Sequence, residues 1–100
     1  VEAAACGLRV VSTAVGGVPE VLPPDILALC KPDCVDLVKV LGSVIELELA
    51  AMDADPDALL ARMHSQHQRV AAMYSWPDVA RRTEAVYHLA MDDTGTPLVE

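Results

Sequence analysis

Residues 1–22, VEAAACGLRVVSTAVGGVPEVL, decide the fold of this 100-residue chain. The first residues are typical of a helix, and we predict that it ends at Gly7, because glycine adopts the left-handed conformation that terminates helices at little cost. The β-branched run Arg9–Thr13 follows and predicts a short strand. The next loop contains Gly16 and Gly17, which let the backbone approach a ligand or another strand closely. Because the chain opens inside a helix, we expect it to be a piece of a longer protein.

The rest of the chain predicts one further strand and three helices, at residues 26–29, 34–50, 57–73 and 78–91. Asp33 is placed to cap the first of these helices, and Pro56 suits the start of the second. The resulting order of helix, strand, loop, strand and three helices favours an α/β fold, a partial Rossmann-like domain with short parallel strands, over an all-helical bundle. We assign residues 1–91 to this domain and residues 92–100 to a tail or linker.

Apolar periodicity predicts which helix residues are buried. The predicted buried residues are Leu37, Val38, Leu41, Val44 and Ile45 in the first long helix, Leu60, Met63, Val70 and Met73 or Tyr74 in the second, and Val79, Thr83, Val86, Tyr87 and Ala90 in the last. Trp76 is the only tryptophan. We interpret it as an anchor that locks the C-terminal helices onto the sheet, in preference to a side chain that stacks on a sugar. We expect Cys6 to pack against the sheet and Cys30 to lie at a strand end.

Charge and cysteine content exclude several classes of protein. The formal net charge is −8, with 7 basic and 15 acidic residues, which argues against a nucleic-acid partner because phosphate binding needs a surplus of Lys and Arg. The odd count of three cysteines does not form the disulfide framework of a small secreted domain and fits free thiols in a reducing compartment. No apolar run reaches the roughly 20 residues that a membrane-spanning helix needs.

Zinc binding is a further possibility that the sequence disfavours. Cys30, Cys34, His64 and His67 are residue types that bind zinc, but their spacing does not match a known zinc motif. His67 is also in register with the apolar residues of its helix, so we interpret it as a histidine at the edge of the core. We therefore expect no metal site.

Several segments of the chain resemble the donor-site region of retaining GT-B glycosyltransferases. The segments that carry the resemblance are residues 2–13, 15–21, 29–33 and 74–87. Within that superfamily, the details CGL, VVST, VPEVLP and RTEAVY resemble the transferases that attach N-acetylglucosamine to phosphatidylinositol. The resemblance covers roughly residues 1–90. A transferase with another donor or acceptor, such as sucrose, glycogen or a cell-envelope lipid, and a non-catalytic interaction module remain as alternatives.

The resemblance implies a specific activity. These enzymes bind a nucleotide sugar between two Rossmann-like domains, and this chain matches the C-terminal, donor-binding one. The implied donor is UDP-GlcNAc, the acceptor is phosphatidylinositol, and the product begins glycosylphosphatidylinositol anchors on the cytoplasmic face of the endoplasmic reticulum membrane. The implied partners are other subunits of a membrane transferase complex, and no cofactor is implied. Both domains form the cleft in which the nucleotide sugar reacts, so we expect this piece alone to be inactive.

The resemblance also implies roles for three residues. Glu2 stands at the second glutamate of the family's E-x7-E motif, whose carboxylate is expected to accept hydrogen bonds from the ribose hydroxyls of UDP. A carboxylate suits two adjacent hydroxyls because it can accept from both. Gly16 and Gly17 are expected to lie close to the donor diphosphate or sugar. The simpler interpretations are that Glu2 is a solvated helix residue and that Gly16 and Gly17 form a plain turn. We assign no catalytic residue.

Overall fold

The computed structural model describes residues 1–92, so residues 93–100, most of the predicted tail, lie outside the described residues. The order of its elements confirms the sequence prediction. The elements are α1 (Glu2–Ala5), β1 (Val10–Thr13), a 3₁₀ turn (Val18–Glu20), β2 (Leu27–Cys30), α2 (Cys34–Ala54), α3 (Pro56–Met73) and α4 (Trp76–Asp92).

The two strands pair in parallel, as predicted for an α/β chain. Val10 lies opposite Leu27 at one end of the ladder and Thr13 lies opposite Cys30 at the other. Beyond the ladder, the amide of Ala14 donates to the carbonyl of Cys30 at 2.9 Å. Both strands therefore end at the same edge of the sheet, and the Gly16-Gly17 loop leaves from that edge.

Gly7 ends α1 as the sequence predicts. Its φ of 81° is left-handed, and its amide donates to the carbonyl of Ala4 at 3.0 Å, while the amide of Leu8 donates to the carbonyl of Ala3 at 3.2 Å. These two bonds form a Schellman motif, which satisfies carbonyls that the end of a helix leaves without partners. The turn sends the chain directly into β1.

The helix starts also follow their predicted signals. The Asp33 side chain accepts from the amide of Asp36 at 2.8 Å, which confirms the cap of α2. Pro56 lies at the start of α3, as predicted, and the helix begins at Pro56 rather than at residue 57. Helix α2 continues to Ala54 rather than residue 50, past Gly42, and α4 begins at Trp76 rather than residue 78.

One small core joins α1, the 3₁₀ segment, β2 and α3. Its buried members are Ala4, Leu22, Ile26, Leu27 and Val70. Val18, the first residue of the 3₁₀ turn, and Val21, which follows the turn, pack against this cluster. The prediction that Val70 is buried is therefore confirmed, and the core attaches both α1 and the loop after β1 to the same helix.

The buried face predicted for α2 is largely wrong. Leu37, Val38, Leu41 and Ile45 are exposed, and Val44 is half-buried. The reason is geometric. A 21-residue helix is about 31 Å long, whereas a strand of four residues covers only about 13 Å. The sheet described here covers only part of the apolar face of α2.

Several other burial predictions are also wrong. Leu60 of α3 is exposed, and α4 has no buried residue, so its apolar stripe is open. Trp76 is 86% exposed, which contradicts its interpretation as an anchor. Cys6 is exposed, whereas Cys30 is buried at the end of β2 as predicted. Periodicity identified apolar faces, but it did not determine which of them find a surface to pack against.

Candidate functional site

Glu2 lies in the first turn of α1, where its exposed side chain lines a cavity of about 500 Å³. The walls are formed by Val1, Glu2 and Ala5 on one side and by Tyr74, Ser75, Trp76 and Val79 on the other. A cavity of this volume suits a small-molecule ligand, and the mixture of apolar side chains with one carboxylate is typical of such sites.

Gln66 of α3 fixes α1 in place. It is buried, and its Nε2 donates to the carbonyl of Ala4 at 3.0 Å and to the carbonyl of Leu8 at 2.7 Å. The next residue, His67, donates from Nδ1 to the carbonyl of Ala5 at 2.7 Å. Because both side chains of α3 hold the C-terminal end of α1, the backbone that carries Glu2 is held against α3.

Gln66 was not among the residues predicted from the sequence. It stands three residues after Met63 and four before Val70, so it belongs to the apolar stripe of α3 that the sequence identified. A polar side chain in such a stripe is itself a signal, because a buried amide needs hydrogen-bond partners. Its partners are carbonyls near the end of a helix about sixty residues earlier, which no local pattern reveals. His67, interpreted as a core-edge residue, is exposed but does contact α1.

The opposite wall of the cavity is the junction between α3 and α4. The amide of Tyr74 donates to the carbonyl of Val70 at 2.8 Å, and its hydroxyl donates to the carbonyl of Val21. The hydroxyl of Ser75 accepts from the amide of Asp78 at 3.3 Å and caps α4. Trp76 follows with its side chain in solvent. The junction therefore presents two aromatic side chains, on a hydrogen-bonded backbone, to the cavity that Glu2 lines.

Gly16 and Gly17 lie outside this cavity. Gly16 has a φ of 53°, and Gly17, with a φ of −83°, precedes the 3₁₀ turn. A Cβ on either residue would meet no atom within 4 Å. The loop therefore has open space beside it at the carboxyl edge of the strands, where α/β sheets bind ligands. A hydrogen bond from Tyr74 to Val21 links the cavity wall to the segment that follows the loop.

An ion pair holds the turn before β2. Arg69 of α3 donates to the carboxylate of Asp25 at 2.6 Å, and this hydrogen bond lowers the pKa of Asp25 below its ordinary value of 3.8. The same bond raises the pKa of Arg69. Arg9 also donates to the backbone carbonyl of Asp25. These contacts attach the entry of β2 to both α3 and the start of β1, and they lie outside the Glu2 cavity.

Metal-binding side chains do not cluster in the part of the chain that the structure describes. Among residues 1–92, no three His, Cys, Asp or Glu side chains are grouped as a metal ion would require. Over the same residues, no helix is both long enough and apolar enough to cross a bilayer.

Comparison with known proteins identifies glycosyltransferase subunits as relatives of this chain. No family profile and no solved structure matches it. The chain is 42% identical, over 99 residues, to a phosphatidylinositol N-acetylglucosaminyltransferase subunit of Arabidopsis thaliana, covering 99% of this chain and 20% of that protein. It is 42% identical, over 102 residues, to the gpi3 subunit of the same transferase from Schizosaccharomyces pombe, covering 100% of this chain and 20% of that protein. The corresponding human protein is 44% identical over 88 residues, which are 87% of this chain and 16% of that protein.

These similarities confirm the relationship that the sequence motifs indicate. The relatives are phosphatidylinositol N-acetylglucosaminyltransferase subunits from a plant, a yeast and a mammal, and the identity extends across nearly the whole chain. The chain spans about a fifth of the length of the relatives it matches.

Proposed function

We propose that this chain forms part of the donor site of a retaining GT-B glycosyltransferase that transfers N-acetylglucosamine from UDP-GlcNAc to phosphatidylinositol. The names of the relatives support the reaction. The observation that carries the site is the position of Glu2, on the wall of a ligand-sized cavity beside two aromatic side chains. The product begins glycosylphosphatidylinositol anchors on the cytoplasmic face of the endoplasmic reticulum membrane. The nucleotide sugar is a substrate, and the reaction needs no cofactor from this chain.

Glu2 binds the ribose of the donor in this proposal. Its carboxylate accepts hydrogen bonds from the 2′ and 3′ hydroxyls, and charge-assisted bonds of this kind are roughly twice as strong as neutral ones. The bonds from Gln66 and His67 to the other end of α1 keep the backbone of Glu2 in place before the donor arrives. Such preorganisation lowers the entropy that is lost on binding.

Replacement of Glu2 tests this role. In the full-length protein, expressed in cells that lack N-acetylglucosaminyl phosphatidylinositol synthesis, we expect Glu2→Ala to weaken the affinity for UDP-GlcNAc about 10- to 150-fold, because hydrogen bonds to a charged group contribute about 1.5–3 kcal/mol. The measurement is the concentration dependence of labelled product formed by membranes that receive labelled UDP-GlcNAc.

Glu46→Ala is the matched control, since Glu46 is an exposed glutamate of α2 that does not line the cavity. Glu2→Gln keeps the length of the side chain and should lose less affinity than Glu2→Ala. An unchanged affinity of Glu2→Ala for UDP-GlcNAc would show that Glu2 does not bind the ribose. Transfer of labelled sugar to an acceptor other than phosphatidylinositol would support the glycosyltransferase activity but contradict the proposed acceptor.

Gly16 and Gly17 provide the close approach of backbone to the donor diphosphate or sugar. The loop follows β1 at the carboxyl edge of the sheet, and both residues have open space where a side chain would stand. Nothing within the described structure requires glycine at position 17, because its φ of −83° is ordinary for any residue. A ligand that occupies this space is therefore the reason we propose for the second glycine.

Gly17→Ala separates the binding role of this loop from a structural one. Alanine fits the backbone and contacts nothing, so we expect the free energy of unfolding to change by less than about 0.5 kcal/mol. If the donor occupies the space, the added methyl group should raise the KM for UDP-GlcNAc at least several-fold. Urea denaturation and donor kinetics measure the two effects. A variant with unchanged KM would assign Gly17 to a plain turn.

Partner subunits are part of the same proposal. The relatives are named as subunits of a transferase, and helix α2 presents the apolar side chains of Val35, Val38 and Leu47 to solvent. Exposed apolar side chains that form a patch mark contact sites for other proteins. We therefore propose other subunits of the transferase, together with the nucleotide sugar and phosphatidylinositol, as partners.

A further inference from the structure

We infer that Trp76 stacks on the nucleobase of the donor, with Tyr74 completing an aromatic wall, and this inference rests on the proposed function. The chain has only one Trp, two Tyr and no Phe. Two of these three aromatic residues line the cavity that also contains Glu2. Aromatic side chains in such a chain would be the natural core residues, yet Trp76 is 86% exposed. A tryptophan in solvent beside a ligand-sized cavity indicates a contact that the ligand supplies.

The backbone around both aromatic residues is rigid. Tyr74 is held at its amide by Val70 and at its hydroxyl by Val21. Trp76 lies between the capping residue Ser75 and Pro77, which fixes its own φ in the first turn of α4. Stacking surfaces with a fixed backbone lose little entropy when a ligand binds. The aromatic wall is thus formed before the donor arrives.

The chemistry of the cavity selects the nucleobase rather than the diphosphate as the group that faces Trp76. When Glu2 binds the ribose, the two groups attached to the ribose are the base on one side and the diphosphate on the other. A diphosphate needs cationic side chains or backbone amides, and none of the described residues that line this cavity is Lys or Arg. An aromatic face and the methyl groups of Val79 suit the flat, weakly polar face of a base.

The test is the binding of UDP to the purified full-length transferase complex, measured by calorimetry. We expect Trp76→Ala to weaken UDP binding about 5- to 150-fold, the range for loss of one aromatic stacking contact with a base. Trp76→Phe keeps an aromatic face and should recover most of the affinity. Leu89→Ala is the matched control, because Leu89 is an exposed apolar residue of α4 that does not line the cavity, and it should bind UDP as the wild type does.

A second probe distinguishes stacking from a structural role. The probe is 1-deoxyribose 5-diphosphate, which keeps the ribose and diphosphate of UDP but lacks the base. Trp76→Ala should bind this probe as the wild type does, since the lost contact is with the base alone. Equal weakening of both ligands would overturn the inference and make Trp76 a structural residue. Unchanged UDP binding in Trp76→Ala, with weakened binding in Glu2→Ala, would overturn the stacking role and leave the proposed function standing. A wild-type complex that does not bind UDP would overturn both.

Discussion

Gly7→Ala is expected to lower the free energy of unfolding by about 2–5 kcal/mol. Two penalties combine at this position. A left-handed conformation costs an alanine about 1–2 kcal/mol, and Gly7 has a φ of 81°. The added Cβ would also lie 2.8 Å from the carbonyl oxygen and 2.9 Å from the Cβ of Met63, and overpacking of this kind costs about 1–3 kcal/mol. Urea denaturation of the purified protein, followed by circular dichroism, measures the sum.

Gly16→Ala separates the two penalties. Gly16 is also left-handed, with a φ of 53°, but a Cβ there meets no atom within 4 Å. It should therefore show the conformational cost of about 1–2 kcal/mol alone. The difference between the two variants measures the close packing of α1 against α3. An equal loss of unfolding free energy in both variants would mean that α3 shifts at Met63 to make room for the added Cβ. The close contact between Gly7 and Met63 would then not be what holds α1 in place.

Gln66→Leu is expected to destabilise the protein by about 1–3 kcal/mol, the cost of a buried polar group that loses its partner. The substitution keeps a side chain of similar size in the buried site but removes both hydrogen bonds to the carbonyls of Ala4 and Leu8. The carbonyl of Ala4 keeps its bond from the amide of Gly7, so the larger part of the cost falls on the carbonyl of Leu8. These carbonyls lie at the end of α1 and just after it, so the variant should also bind UDP-GlcNAc more weakly, because only His67 would still hold the helix that carries Glu2.

Gln68→Leu is the matched control for this prediction. Gln68 lies two residues further along α3 and is exposed, so its replacement should change the free energy of unfolding by no more than about 0.5 kcal/mol. If Gln66→Leu were as stable as Gln68→Leu, the carbonyls of α1 would have found other partners. Loss of stability with unchanged donor affinity would show that the position of Glu2 does not depend on Gln66.

The element order of this chain follows from local signals that a sequence contains directly. Gly7 ends α1 because glycine adopts the left-handed conformation cheaply, and Asp33 caps α2 because its carboxylate reaches the amide of Asp36. Pro56 marks the first residue of α3 because a helix start does not need its missing amide. Each of these interactions spans only a few residues, so the sequence predicts it well. The family relationship was predictable for the same reason, since it rests on contiguous motifs.

The candidate site was only half predictable. The motif predicts a donor-site role for Glu2, which stays a prediction. Gln66, which holds the helix of Glu2, was not predicted, and Trp76, which shares its cavity, was wrongly predicted to be a buried anchor. Their roles depend on contacts with residues about sixty or more positions away along the chain. A lone tryptophan between two helices suggested a buried anchor, whereas the structure leaves Trp76 in solvent.

The sequence by itself determined the type and order of the helices and strands and several of their starts, because capping, glycine conformation and β-branched runs act over a few bonds. The tertiary structure alone decided which apolar faces are covered. A face is buried only where another element of matching length lies against it, and the four-residue strands leave most of α2 uncovered. The tertiary structure also decided that Glu2 shares a cavity with the junction of α3 and α4, because this proximity arises from packing between distant segments rather than from any local preference.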